Sequence, residues 1–147
     1  MIIEFDMANP DAFEETAMAA YESFRGPVTD AAVTELGMIV RENFGVSGVD
    51  RPKDWPQLNQ KYANRKHGGD TTPTLILTGP LRDSIVVNLG NPDDAYVTSH
   101  NEIAAYHQDG GPHLPARPMF PMDANGVITP YTVERVTAAA QKTLDSL

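Results

Sequence analysis

Apolar residues along this chain recur at helical spacing near both ends and run together or alternate in the middle, which predicts helices flanking a small sheet. Phe13, Ala17, Tyr21 and Phe24 share one face of a first helix. Asn9 can cap it, Pro10 suits its first turn, and Asp11, Glu14 and Glu15 favour the positive end of its dipole. Gly26-Pro27 predicts its end. A second helix is expected from a cap at Thr29 or Asp30, with Val33, Leu36, Val40 and Phe44 buried and Gly45 closing it. The short turn between the two predicts an antiparallel pair. Ahead of both, Ile2, Ile3 and Phe5 can add one strand.

From 46 to 74 the pattern turns polar and is punctuated by Gly48, Pro52, Pro56, Gly68-Gly69 and Pro73. Trp55, Leu58 and Tyr62 are spaced to anchor one short helix, and the rest reads as a long loop that is mobile or orders on assembly. Leu75-Ile76-Leu77 leads into Gly79-Pro80, after which Leu81 and Ile85 lie one helical period apart. Residues 84–89 are β-branched and end at Gly90-Asn91-Pro92, so they predict a strand and turn, with 95–99 as antiparallel partner. Asn101 caps a short helix through Gln108, with Ile103 and Tyr106 expected inward. Pro115, Pro118 and Pro121 stiffen an extended crossing. Thr129-Pro130 opens a last helix with Val133, Val136, Ala140 and Leu144 as its buried stripe. The expected class is α+β: two N-terminal helices, a small mainly antiparallel sheet and a C-terminal helix packed on it.

Length and charge narrow this picture. With 147 residues the chain fits one domain spanning 1–147, and no repeat is visible. There is no cysteine, which excludes disulfides and thiolate metal sites. The first residues lack a basic region and a long apolar stretch, so no signal peptide is expected, and no window is apolar enough for a membrane helix. The formal net charge of −9 argues against general nucleic-acid binding. It is unevenly placed: residues 1–50 carry ten acids against two bases, and residues 51–90 carry six bases against three acids. That asymmetry fits either head-to-tail self-association or two ordinary solvated surfaces.

Chemistry has little to stand on. His100, His107 and His113 cluster in sequence near Glu102 and Asp109, but without the spacing of a zinc site. Ser84, His107 and Asp109 supply the groups of a nucleophilic hydrolase, but no Gly-x-Ser-x-Gly elbow presents the serine. No phosphate-cradling glycine loop occurs, and no cofactor is expected. Arg117 stands apart, because flanking Ala116 and Pro118 leave its guanidinium little entropy to lose. It suits either a carboxylate or C-terminal carbonyls of a neighbouring subunit, or an internal salt bridge to the C-terminal helix.

Three phrases, in order, carry a resemblance. They are Thr78-Gly79-Pro80-Leu81-Arg82-Asp83-Ser84-Ile85, then Ile103-Ala104-Ala105-Tyr106-His107-Gln108-Asp109-Gly110, then Leu114-Pro115-Ala116-Arg117-Pro118-Met119-Phe120. Upstream stand Leu36-Gly37, Glu42-Asn43-Phe44 and Asp54-Trp55-Pro56-Gln57-Leu58. The ordered set resembles the phage virion morphogenesis family, which includes tail completion proteins of Mu-like and related tailed phages. Here the alanines precede the tyrosine of the second phrase, and Met119 separates Pro118 from Phe120 in the third.

The resemblance implies a non-enzymatic virion protein at the head–tail junction, a tail completion, terminator or neck component that closes the tail and joins it to the filled head. It would act as a ring of copies of itself, six-fold if it follows the tail. Its partners would be neck or connector and tail-tube or sheath proteins, with DNA only passing through the lumen and no membrane contact. Localisation would be the virion, and the host cytoplasm during assembly. The alternatives are a capsid-side assembly factor and a small hydrolase using the Ser/His/Asp set or a metal. On the ring reading, Arg51, Lys53, Lys61, Lys66, Arg82 and Arg117 are the candidate assembly contacts, and acids of the first two helices line the lumen or meet that basic stretch.

Overall fold

A single helix, α1 (Pro10–Glu42), forms the spine of the molecule in a computed structural model that describes residues 10–45, 48–72 and 79–147. The strand expected at Ile2–Phe5, the Asn9 cap and the apolar lead-in at Leu75-Ile76-Leu77 lie outside those residues. The expected pair of N-terminal helices is instead one element with Pro27 inside it. Proline there removes one i→i−4 hydrogen bond and costs about 3 kcal/mol. On either side of Pro27 the helix is tied at its surface to the hairpin turn, where Arg25 pairs with Asp93 and Asp30 Oδ1 accepts from the Gly90 amide at 3.0 Å.

The strands β1 (Ile85–Asn88) and β2 (Tyr96–Ser99) form an antiparallel hairpin with Ile85 opposite Ser99 and Asn88 opposite Tyr96. It lies on α1, where a Cβ added to Gly37 would sit 2.4 Å from Val87 Cγ2. The helix α5 (Pro130–Ser146) packs along the same spine. Arg135 bridges it to Glu35 and Glu42, with Nε–Oε1 of 2.7 Å to the former and Nη1–Oε2 of 3.1 Å to the latter. Burial works against the charged Arg135, but the hydrogen bonds to Glu42 and Glu35 outweigh it and raise its pKa. The fold is α+β, as expected, with sheet and C-terminal helix both resting on α1.

Three short helices lie among the remaining described residues. They are α2 (Gln60–Lys66), α3 (Pro80–Asp83) and α4 (Ile103–Asp109). Val40, Phe44, Trp55, Leu81, Ile85, Ala104 and Met119 form the core, with Val97 and Phe120 against it. One short helix, α2, lies in the otherwise irregular stretch from 48 to 72, as expected, with two of its expected anchors packed on the core just ahead of it. Trp55 and Leu58 are buried, and the Leu58 amide donates to Thr71 O at 2.9 Å.

Two helical faces differ from expectation. On α4, Ala104 is buried while Ile103 and Tyr106 are exposed, because Gln108 is turned to serve the backbone of 119–120. On α5, Thr132 is buried while Val133 is 50% exposed and Leu144 also exposed. The registration there is set by polar groups: Asp50 Oδ2 accepts from the Thr132 amide at 3.0 Å and its hydroxyl at 2.6 Å, and from the Thr129 hydroxyl. Thr129 occupies the N-cap position without capping through its own side chain, so a residue far away in sequence does that work.

Candidate functional site

The phrases that stand apart in sequence meet at one place, at the C-terminal end of α1. Asn43, fully buried, is its centre. Its Nδ2 donates to Asp50 O and Met119 O, both at 2.9 Å. Its Oδ1 accepts from the amides of Val49 at 3.0 Å and Asp50 at 2.8 Å. Four bonds satisfy the whole amide, which is what burial of an asparagine demands.

Around it the phrases interlock. Gln108 Oε1 accepts from the amides of Met119 at 3.0 Å and Phe120 at 2.9 Å. The Arg117 amide donates to His107 O at 2.7 Å, and Trp55 Nε1 donates to Pro118 O at 2.9 Å. Gly110, at φ +78°, lets the chains close up, since a Cβ there would lie 2.9 Å from Ala116 N. Leu81 and Ile85 of the first phrase supply apolar wall, and Arg41 Nη2 donates to Ile85 O at 3.0 Å. Gly79, at φ +96°, starts α3 from the left-handed region, which favours glycine. Thr78, at its head, lies outside the described residues.

The six candidate cations divide sharply. Arg51 is half-buried and turned toward the end of α1. It stacks over Trp55 with its guanidinium carbon 3.5 Å from the ring centroid and donates to Asn43 O and Gly45 O. Those are carbonyls past the end of α1, where a cation is favoured. Burial lowers its pKa, opposed by Asp54.

Arg117 is 6% exposed and makes no salt bridge to the C-terminal helix among the described residues, a correction to that expectation. Its Nε and Nη2 donate to Pro56 O at 3.2 and 3.0 Å, and Nη2 also to Gln57 O at 3.2 Å. It thus pins the Trp55–Leu58 stretch, not α5, and no carboxylate of a described residue pairs with it. Burial pushes its pKa down. Lys53, Lys61, Lys66 and Arg82 are exposed, with Arg82 Nε 3.2 Å from its neighbour Asp83.

A cavity of about 780 Å³ opens beside this junction. Leu58, Tyr62, Leu81, Ile103 and Leu114 give it apolar wall, and Arg117, His107, His67 and His113 give it polar groups. His107 Nδ1 is buried without a hydrogen-bond partner among the described residues. Burial, and then the nearby Arg117 charge, lower the His107 pKa. Sequence reasoning singled out His107 and Arg117 but had no signal for Tyr62 and His67 facing the same space.

The hydrolase and metal constellations are not brought together. Ser84 Oγ donates to Leu81 O at 2.6 Å and shares a 2.6 Å bond with Ser99 Oγ. It lines a separate groove with His100 and Glu102, whereas His107 and His113 line the cavity. Among the described residues no three His, Asp or Glu side chains converge as metal ligands. No helix among them is long and apolar enough to cross a membrane. Compared with protein-family models, curated proteins and solved structures, the chain has no match.

Proposed function

We propose that the chain is a structural protein of a tailed-phage virion, acting as a tail completion or neck ring at the head–tail junction. The observation that carries this reading is the ordered set of phrases from Gly79 to Phe120 and its resemblance to the virion morphogenesis family. The junction supports it by giving those phrases a common task. Gln108, Gly110, Arg117 and Trp55 are the residues whose bonds and backbone hold the junction closed. Residues so engaged build a rigid body suited to assembly.

In this reading copies associate into a closed ring. Exposed Lys53, Lys61, Lys66 and Arg82 face neighbouring subunits or partner rings, and acids of α1 face the lumen or that basic surface. An acidic lumen repels phosphates and lets DNA pass. The test is an amber mutation of the gene in a phage that encodes it. Filled heads and free tails should accumulate unjoined, and purified protein should restore joining. Normal yields of joined, infectious particles without the protein would overturn the proposal.

A further inference from the structure

The cavity holds a cation without a matching anion. Arg117 is nearly fully buried, uses its donors on main-chain carbonyls, and has no carboxylate partner among the described residues. Exposed Lys61 and Lys66 on α2 and Arg82 on α3 add positive charge on the elements that build the wall. Apolar Ile103, 48% exposed, stands on its rim.

The opposite surface occurs at the other end of the spine. Glu15, Met18 and Glu22 follow one another at i, i+3 and i+7 on α1, so they form one stripe with an apolar centre and a carboxylate one turn to either side. All three are exposed, Met18 by 53%, and Glu22 Oε1 also lies 3.4 Å from Arg25 Nη1. The polar ties from the hairpin to α1 fall at Arg25, Asp30 and Arg41, and α5 ends with Thr143 and Ser146 beside Asp30 and Ala31.

Stripe and cavity cannot meet within one chain. The cavity wall includes Leu81, which packs with Val40 and Phe44 at the far end of α1. At about 1.5 Å per residue, Met18 lies about 33 Å from Val40 along the helix. Two complementary surfaces at opposite ends of one molecule make a head-to-tail contact, which closes into a ring or continues as a filament.

We propose that the cavity beside Arg117 is the receptor for the stripe of Glu15, Met18 and Glu22 on a second copy. Met18 enters the apolar part, and the carboxylates face Arg117 and the lysines of α2. This rests on the self-assembly in the function proposed above and names the surfaces that perform it.

The natural absence of cysteine makes a direct test available. Met18→Cys and Ile103→Cys chains are mixed and treated with a short bismaleimide. Covalent heterodimers are expected, and a doubly substituted chain should give a ladder of higher oligomers. Leu89→Cys, on the exposed hairpin turn, replaces Ile103→Cys as the control and should not link to Met18→Cys. Glu15→Lys with Glu22→Lys should weaken self-association by roughly tenfold in sedimentation. Oligomers that form without the 18-to-103 link, or that link equally well to position 89, overturn this contact while leaving ring assembly standing. Chains that sediment as monomers at every concentration and never link overturn both.

Discussion

The two ends of α1 are built on different principles. At its C-terminal end Asn43 and Phe44 are fully buried, and four hydrogen bonds bind the Asn43 amide to segments 49–50 and 119. Toward its N-terminal end Met18 and Tyr21 are exposed, and the nearest ties from the hairpin reach Arg25 and Asp30. Helical periodicity is the same kind of signal at both ends. Burial follows only where distant segments bring polar partners as well as apolar wall.

The largest test of this contrast replaces one aromatic at each end. Phe44→Ala should cost about 3–5 kcal/mol, whereas Tyr21→Ala should stay within about 0.5 kcal/mol, both read by chemical denaturation of the full chain. Equal losses would mean that the N-terminal half is packed as firmly as the junction. Next, Asp50→Ala should cost about 1–2 kcal/mol by removing the remote cap of α5. Hydrogen exchange should quicken first at the amides near Thr132, and unchanged exchange there would show that Thr129 suffices.

A smaller effect distinguishes the cavity by its pH response. Burial, and then the Arg117 charge, lower the pKa of His107 in the folded chain. The unfolded chain takes up this proton near pH 6.5, so the contribution of this group to stability should be level above that value and fall as pH drops below it. His107→Gln should flatten that slope, and an identical slope would exclude this histidine as its source. The smallest expected effect on stability lies on the exposed surface. Lys61→Glu with Lys66→Glu should leave the melting temperature unchanged yet reduce self-association and its sensitivity to salt. Normal, salt-indifferent assembly by that variant would remove the basic surface of α2 from the interface.

Local patterning determined a good deal of this molecule. The β1–β2 hairpin, the Pro80 start of α3, the short helix after Asn101 and the Thr129-Pro130 boundary are all legible, because turn residues and β-branched runs act within a few positions. The phrases themselves were visible, though not that they meet. The tertiary structure alone decided that α1 runs through Pro27, that α5 turns Thr132 inward with Val133 left outside, and that Arg51 and Arg117 hold main-chain carbonyls. Apart from Arg51, which reaches back only to Asn43 and Gly45, the partners are far away in sequence: Asp93 and Gly90 for the helix, Asp50 for the register of α5, and Pro56 and Gln57 for Arg117. A proline break costs about 3 kcal/mol, and each large apolar side chain of a stripe contributes about 1.5–3 kcal/mol when buried. A single hydrogen bond nets about 1 kcal/mol, so several contacts from distant segments acting together decide such cases, and only once the chain has folded.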